Sequence, residues 1–250
     1  MPSRITQGYV SKSIADFPFH QIYSLDDYNN NSIPSVFFGA YRYEDIQIIN
    51  NHKGLTVVFW TGQDALDHSS FFIKECKHVT AHPKVYDKLI QEFNDVKLVS
   101  PASFLNELHP QKLGTKIYAY CPDSAPNYHG KKIIDELRCS KLGPDIIIGT
   151  GEWTQTEWRN GMADFCYNEV GIGLCLSDFA GGGLSIIEMG LRGIPVVTNV
   201  FNLPNCIPWR DAQDVSDIID NERSKIGSVN RSIAQSTWDA LDHNHYWLKV

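Results

Sequence analysis

The segment Gly171–Asn199 constrains the fold of this chain more than any other part of the sequence. It opens with a short apolar run, which is typical of a parallel strand buried on both faces. Glycines occupy positions 181–183, and an apolar pattern with helical spacing begins at Leu184. Gly193 and Pro195 end that helix, and a second apolar run follows. A strand, a glycine turn, a helix and a strand predict one βαβ unit and hence an α/β fold with a parallel sheet.

The glycine turn of this unit has the chemistry of an anion site. Glycines let the backbone approach a ligand closely, and the N–H groups of a helix's first turn attract a negative group such as a diphosphate. Glu188 lies one turn into the helix, where a carboxylate accepts hydrogen bonds from a ribose diol. The competing interpretation is a tight turn followed by a solvated glutamate.

The segment resembles the donor-site signature of the GT-B glycosyltransferases, specifically the retaining family 4 that includes glycogen synthase-like and sucrose synthase-like enzymes. One position departs from that signature, because Ala180 stands where the family has the first Glu of a pair. Asp178, two residues earlier, is the candidate to replace it. Eight positions match in order and spacing: Gly181, Gly183, Leu184, Glu188, Gly193, Pro195, Val196 and Val197.

The resemblance implies a GT-B architecture, in which two doubly wound Rossmann-like domains face each other across a cleft. It also implies transfer of a hexose-type sugar from a nucleoside diphosphate sugar, with UDP or GDP as the nucleotide, to an acceptor hydroxyl. Retention at the anomeric carbon, no metal ion and no further cofactor are expected. The family places donor-binding groups in the loop that here includes Gly182, Gly183, Leu184 and Ser185, and the first carboxylate of its pair lies close to the transferred sugar.

The first half of the chain repeats the strand–helix rhythm. Strands are predicted over 35–38, 55–60, 79–81 and 96–99, with helices over 43–51 and 82–93. Residues 1–32 show no clear pattern, and 26–32 is predicted to be a polar loop. Residues 101–114 combine two prolines and a glycine with no period, which predicts a boundary between a compact N-terminal acceptor-side domain, 1–110, and a nucleotide-sugar donor domain, 111–250.

The second half begins a new unit of the same kind. Strands are predicted over 116–121, 145–148, 171–176 and 194–198, and a loop over 201–208. Helices are predicted over 131–139, 154–166, 184–191, 212–225 and 229–243. In the family that the chain resembles, a last helix crosses back to the first domain, and the aromatic C-terminus is the candidate for that role.

Charge and hydropathy exclude several classes of partner. The 250 residues carry 22 basic and 29 acidic side chains, a net charge of −7, which disfavours nucleic acid. Residues 1–110 hold 9 basic and 12 acidic side chains, so we expect no strong membrane association through the first domain. No apolar run reaches the length of a membrane helix and no signal peptide opens the chain, so a cytoplasmic location is expected. The oligomeric state is left open.

The metal-ligating residue types show no ligand spacing. The six cysteines include no C-x-x-C pair, the nine histidines include no H-E-x-x-H, and no D-x-D occurs in the chain. Buried thiols are the expected state of the cysteines. The sequence therefore predicts no metal site.

Further donor-binding candidates follow predicted strands of the second unit. Lys131 and Lys132 begin the helix after the first strand, and an ammonium there neutralises a diphosphate. The competing interpretation is a solvated lysine pair. Gly149, Thr150 and Gly151 follow the next strand, at the carboxyl edge where open α/β sheets bind ligands. In the family, this loop lies beside the nucleobase.

The first unit contributes four candidates at its own carboxyl edge. Gly39, Tyr41 and Arg42 follow its first strand, and Arg42 is a candidate to stabilise the leaving phosphate, against the alternative of a surface arginine. Asp64 ends the next strand and is a candidate to hold or deprotonate the acceptor hydroxyl. The competing account is an aspartate that caps the following segment. Asp64, Asp178 and Arg42 together form the predicted catalytic set.

Three other functions compete with glycosyl transfer. A sugar-nucleotide epimerase shares the same architecture, and a non-catalytic sugar-nucleotide binding protein is consistent with Ala180. A nicotinamide-dependent dehydrogenase is the least favoured, because no G-x-G-x-x-G opens the first βα turn.

Overall fold

The protein is built from two compact units. The computed structural model describes residues 4–71, 75–103, 105, 107–123, 125–150, 166–177, 179 and 183–249. Unit 1 comprises Met1–Phe104 and Leu241–Val250, and unit 2 comprises Leu105–Ala240. Each unit contains a parallel sheet whose strands alternate with helices along the chain. The predicted α/β class with two doubly wound units is therefore confirmed.

Unit 1 is organised around a six-stranded sheet in the order β2-β1-β3-β4-β5-β6. All neighbouring strands of this sheet pair in parallel. Its two central strands are buried along their whole length, as expected for strands covered on both faces. The strands are β1 (Gln7–Val10), β2 (Asp26–Asp27), β3 (Ser35–Phe38), β4 (Thr56–Trp60), β5 (Lys77–Thr80) and β6 (Val96–Leu98).

The helices of unit 1 follow its strands. Pro83 occupies the first turn of α4, where its missing N–H costs nothing, and so marks the beginning of that helix. Rings of Phe19 and Phe38 stack at 4.5 Å, and Trp247 packs edge-on against Tyr23 at 5.2 Å, so the C-terminal residues complete this core. The helices are α1 (Phe19–Tyr23), α2 (Tyr43–Asn51), α3 (Gln63–His68) and α4 (Pro83–Leu89).

Unit 2 contains a five-stranded sheet in the order β11-β10-β9-β7-β8. Its neighbouring strands also pair in parallel. Ile117, Ile172 and Leu174 fill its core together with Ile134 and Ile219 from the helices. The strands are β7 (Lys116–Tyr120), β8 (Ile146–Gly149), β9 (Val170–Cys175), β10 (Val196–Thr198) and β11 (Cys206–Ile207).

The described helices of unit 2 include one that is apolar on nearly every side. This helix, α6 (Gly183–Leu191), is buried from Ile186 to its end, as expected of a helix inside the core. The others are α5 (Lys131–Arg138), α7 (Ala212–Glu222) and α8 (Arg231–Ala240). Among the helices that the structure describes, none is both long and apolar enough to cross a membrane.

Two predicted loops contain strands. The loop predicted over 26–32 begins with β2, because the Asp26 N–H donates to the Thr6 carbonyl at 2.8 Å and continues the sheet beyond β1. The loop predicted over 201–208 contains β11, which pairs with β10 and extends the sheet of unit 2. The helix predicted over 154–166 lies outside the described residues, apart from its last position.

Candidate functional site

The order of strands in unit 2 identifies the place where a ligand would bind. Helix α5 leads from β7 to β8 on one side, whereas α6 leads from β9 to β10 on the other, so the strand order reverses between β7 and β9. In open α/β sheets, ligands bind at the carboxyl ends of the strands at such a reversal. In unit 1 the same reversal occurs between β1 and β3.

Two loops at the carboxyl edge of unit 2 are held together by their backbones. The Cys121 N–H donates to the Gly149 carbonyl at 2.9 Å, and the Asp123 N–H donates to the Thr150 carbonyl at 3.2 Å. A Cβ on Gly149 would come within 2.1 Å of the Tyr118 hydroxyl, so any larger residue there would require the buried Tyr118 ring to move. Two of the predicted nucleobase-loop residues, Gly149 and Thr150, are therefore fixed beside the loop that follows β7.

The two predicted lysines lie at the beginning of α5 and differ in their pairing. The Lys131 ammonium is 3.2 Å from the Asp135 carboxylate, and both side chains are about half exposed. Its charge reaches Cys121 at the end of β7, where it opposes the rise that burial causes in the pKa of that thiol. Lys132 is exposed and makes no ion pair within the described part of the chain. Both cations are at the edge where the strand order reverses.

His129 precedes these lysines and is a buried neutral base. Its ring packs edge-on against Tyr120 at 5.1 Å and against Tyr128 at 5.0 Å. Burial lowers the pKa of His129 to about 4, so the imidazole carries no charge at neutral pH. The positive charge of this edge therefore comes from the lysines.

Glu188 is buried in a polar cluster beneath the first turn of α6. Only 2% of the residue is exposed. The Tyr167 hydroxyl donates to Glu188 Oε2 at 3.3 Å, and the guanidinium of Arg192 lies 5.3 Å from the centre of the Tyr167 ring. A helical side chain leans towards the helix N-terminus, so the carboxylate is directed to the carboxyl edge of β9.

The remaining donor-loop candidates lie partly in the described structure. Gly183, Leu184 and Ser185 form the first turn of α6 as the structure has it, and all three are half-buried. Five positions singled out by the sequence lie outside the described residues: Gly151, Asp178, Ala180, Gly181 and Gly182.

In unit 1, the loop after β3 contains the other predicted donor contacts. Gly39 has a φ of +74°, and a Cβ there would come within 2.8 Å of the Tyr41 ring, so this turn requires glycine. The Tyr41 hydroxyl is 2.8 Å from Thr61 Oγ1, which joins the loops after β3 and β4. Arg42 is exposed, and its Nε donates to Ser13 Oγ at 3.1 Å.

Asp45, which the sequence interpretation missed, fixes the strand reversal in unit 1. Its carboxylate is buried and accepts hydrogen bonds from the Tyr9 hydroxyl at 2.7 Å, the Ser11 hydroxyl at 2.7 Å and the Arg42 N–H at 2.9 Å. The sequence signal that could have identified Asp45 is its position three residues after the helix N-cap, Arg42. An acidic side chain there accepts a hydrogen bond from the N-cap backbone N–H.

Asp64 is enclosed by backbone donors. The fully buried carboxylate accepts hydrogen bonds from the N–H groups of Ala40 at 3.1 Å, Thr61 at 3.2 Å and Gly62 at 2.8 Å. Burial raises the pKa of Asp64 to about 6, although these hydrogen bonds oppose the rise. The geometry favours the capping account over contact with an acceptor hydroxyl.

Comparison with known proteins identifies the fold. No protein-family model and no curated protein matches the chain. Solved structures do match, at 12% to 13% sequence identity, and they show the fold alone. That fold is the one shared by the GT-B glycosyltransferases, with two parallel sheets in an α/β architecture.

Three of the matching structures are specific enzymes. The lipopolysaccharide outer core galactosyltransferase WaaB, in its apo form, has a TM-score of 0.56 and 12% identity over 92% of this chain and 75% of its own. A mutant of S. aureus TarM in complex with fondaparinux, alpha-GlcNAc-glycerol and UDP has a TM-score of 0.52 and 13% identity over 82% and 51%. The pneumococcal O-GlcNAc transferase GtfA, in complex with UDP and GlcNAc, has a TM-score of 0.50 and 12% identity over 85% and 54%. The chain thus spans about half the length of the TarM and GtfA chains.

The described residues contain no group of three or more His, Cys, Asp or Glu side chains that could hold a metal ion. The charged side chains around the end of β7 include Lys131 and Lys132 at the beginning of α5 and the carboxylates of Asp123 and Asp135, of which Asp135 pairs with Lys131. The exposed ammonium of Lys132 and the backbone N–H groups of the first turn of α6 are the groups of this edge that suit an anion.

Proposed function

We propose that the protein is a glycosyltransferase that moves a hexose-type sugar from a nucleoside diphosphate sugar, with UDP or GDP as the nucleotide, to an acceptor hydroxyl. The observation that carries the proposal is the strand reversal in unit 2, where two lysines, Gly149 with Thr150, and the first turn of α6 lie at one edge of the sheet. The GT-B fold and the match of the Gly181–Val197 segment to a donor-site signature support it. UDP in the TarM and GtfA structures makes UDP the first nucleotide to test.

The proposed roles in unit 2 follow the charge of the donor. Lys131 and Lys132 neutralise the diphosphate, and the backbone of Gly182, Gly183, Leu184 and Ser185 donates to it. Glu188 accepts hydrogen bonds from the ribose hydroxyls. Gly149, Thr150 and Gly151 lie beside the nucleobase, and Asp178 contacts the transferred sugar in place of the glutamate that Ala180 replaces.

Unit 1 supplies the remaining proposed roles. Arg42, with Gly39 and Tyr41 in the same loop, stabilises the leaving phosphate. Asp64 holds that loop through Ala40, so its proposed contribution to the acceptor side is first of all to position the backbone. Direct contact of Asp64 with the acceptor hydroxyl stays a prediction.

The proposed mechanism is retaining and metal-independent. The leaving phosphate of the donor takes the proton of the incoming hydroxyl, so the protein orients the two reactants and stabilises the charge on the diphosphate. Such a reaction needs no strong protein nucleophile, which agrees with a site of lysines, glycines and backbone N–H groups. The proposed location is the cytoplasm, where thiols stay reduced. The proposed acceptor is a soluble glycan, a protein or a small molecule.

A thermal-shift screen followed by product analysis tests the proposal. A nucleotide at one hundred times its Kd adds about 2.7 kcal/mol to the free energy of unfolding, which is a measurable rise in Tm. We expect UDP or GDP and their sugars to raise Tm, and the absence of any shift would reject nucleotide binding. Free nucleoside diphosphate plus a glycosylated acceptor identifies a transferase.

Two alternatives give different products in the same assay. A sugar-nucleotide epimerase of the same fold would return an epimerised sugar nucleotide. A sugar-nucleotide binding protein would raise Tm with neither transfer nor hydrolysis of the donor above background. The observation that favours a binding protein is Ala180, which stands where the signature has a glutamate.

A further inference from the structure

Tyr167 occupies the centre of the polar cluster around Glu188, although no sequence motif includes it. The residue is fully buried three positions before β9. Its carbonyl accepts a hydrogen bond from Gln111 Nε2 at 2.6 Å, which fixes its backbone. Its ring packs edge-on against Tyr118 at 5.3 Å, with the Arg192 guanidinium on another side. The ring is therefore held in one position.

The hydroxyl of Tyr167 connects two residues of the same helical turn. It donates to Glu188 Oε2 at 3.3 Å. Burial raises the pKa of Tyr167, and a side-chain hydrogen bond with Ser185 opposes that rise. Tyr167 is thus hydrogen-bonded both to Ser185 and to the Glu188 carboxylate.

A buried carboxylate on an otherwise apolar helix needs such a donor. The neighbours of Glu188 on α6 are Ile187 and Met189, both buried. A charge in these surroundings is strongly destabilising unless hydrogen bonds compensate it. The Tyr167 phenol donates one hydrogen bond to Oε2, and Arg192, whose Nη1 donates to the Glu188 carbonyl at 3.4 Å, brings a positive charge to the same cluster. An ionised carboxylate has about four lone-pair sites, so Glu188 keeps the capacity to accept from a ligand as well.

We propose that Tyr167 is a positioning residue that orients the Glu188 carboxylate for the ribose hydroxyls of the nucleotide. The inference rests on the proposed function, because it needs Glu188 to meet a ribose. Tyr167 contacts the carboxylate and not the nucleotide, so its effect on affinity passes entirely through the ribose contact.

Ribose-modified nucleotides separate this role from general support of the fold. Calorimetry gives the ribose penalty, defined as the ratio of Kd values for the 2′,3′-dideoxy nucleotide and the parent UDP or GDP. In the wild-type chain we expect a penalty of about tenfold or more, the cost of leaving hydrogen-bonded groups poorly paired. In Tyr167→Phe the parent nucleotide binds about tenfold more weakly while the dideoxy analogue binds as in the wild type.

A double-mutant cycle shows whether Tyr167 acts through Glu188. Tyr167→Phe combined with Glu188→Gln binds the parent nucleotide no more weakly than Glu188→Gln alone, because the tyrosine has nothing left to orient. Tyr23→Phe is the matched control, since Tyr23 is a buried tyrosine of unit 1. Ser185→Ala keeps the ring of Tyr167 and removes one hydrogen-bond partner of its hydroxyl, so it serves if Tyr167→Phe does not fold. Ser185→Ala should also lower the ribose penalty, by a smaller factor than Tyr167→Phe does.

The outcomes are distinct. A wild-type chain that binds neither UDP nor GDP overturns the proposed function and this inference with it. A normal ribose penalty in both Tyr167→Phe and Ser185→Ala overturns the inference alone. Equal weakening of the parent and dideoxy nucleotides in Tyr167→Phe also overturns it, because the effect would then be one of general structure.

Discussion

The backbone of Gly130 lies so close to Leu176 that a Cβ on this glycine would come within 2.6 Å of the Leu176 Cβ. Gly130 has a φ of +73°, in the left-handed region that side chains disfavour. The close approach brings the loop after β7 against the residue that follows β9, the two strands between which the order reverses. One glycine therefore fixes the spacing at the proposed donor edge.

Gly130→Ala combines a strained φ with a collision. We expect it to lower the free energy of unfolding by about 2–4 kcal/mol and to weaken nucleotide binding, because the loop moves away from β9. Gly227→Ala is a matched control: Gly227 has a φ of +83°, and an added Cβ meets nothing within 4 Å. It is expected to cost about 1–2 kcal/mol and to leave binding unchanged. Equal losses in a denaturant titration would show that Gly130 is not tightly packed.

Asp64 makes stability depend on pH. Its pKa rises in the folded chain from the ordinary 3.8 to about 6, chiefly because of burial. The folded state therefore favours the protonated form, and this contribution is fully present below pH 3.8 and is lost as pH rises through 6. We expect the free energy of unfolding of the wild type, relative to Asp64→Asn, to fall by about 2–3 kcal/mol between pH 3.5 and pH 7.

The reference for this experiment is Asp67→Asn, which changes an exposed aspartate of the same helix. Because Asp67→Asn keeps the Asp64 carboxyl, it should show the same fall relative to Asp64→Asn as the wild type does. A wild-type curve parallel to that of Asp64→Asn over the whole range would contradict the raised pKa of Asp64.

Chelation of divalent metal should leave transfer intact. The proposed site offers lysines and backbone N–H groups to the diphosphate, and these supply the charge that a metal ion would otherwise provide. The measurement is the initial rate of transfer with and without EDTA, followed by addition of Mg²⁺ or Mn²⁺. A rate abolished by EDTA and restored by either metal would contradict the metal-independent mechanism.

The central strands and helices could be predicted because their buried faces require apolar residues at regular spacing in the sequence. β3 and α2 have the predicted bounds, 35–38 and 43–51, since both carry apolar residues in the period of their element. β1 was missed because its buried Gln7 is polar, satisfied by Ser35 Oγ at 2.6 Å and the Asn30 carbonyl. β2 was missed because two exposed aspartates have low strand propensity.

The site residues, like the strands, could be predicted from the sequence only in part. Glu188 was found from spacing along one segment, but Tyr167 and Asp45 act through contacts that depend on the folded chain. Tyr167 meets Glu188 across 21 residues, and Asp45 meets Tyr9 across 36. Asp64 shows the opposite case, in which a residue at the expected edge turns inward to backbone donors. Pattern alone gives the edge of the sheet and not the direction of the side chain.

Glu188→Gln should weaken nucleotide binding by about 1–3 kcal/mol, because a buried amide places a donor where the ribose needs an acceptor. Glu222→Gln is the matched control: this carboxylate is also buried, and its partner is the Lys225 ammonium at 2.7 Å. The control should lose stability while keeping its affinity. Calorimetry decides, and unchanged affinity in Glu188→Gln would remove this residue from the site.

The roles of the two lysines of α5 can be distinguished by their ion pairing. Lys131 already pairs with Asp135, whereas Lys132 makes no ion pair among the described residues, so Lys132 reaches a phosphate without losing a partner. Lys132→Met should weaken nucleotide binding about tenfold at low salt, the loss of one charge-assisted hydrogen bond. Screening by salt should reduce that difference, since both lysines are exposed.

A charge-neutral double variant is the control for this comparison. Lys131→Met with Asp135→Asn removes the existing pair without changing the net charge of the helix, and an exposed pair of this kind contributes little to stability. If Lys132 carries the phosphate contact, the double variant binds the nucleotide almost as the wild type does. If the double variant weakens binding as much as Lys132→Met or more, the contact belongs to Lys131, and Asp135 serves to orient its ammonium towards the end of β7.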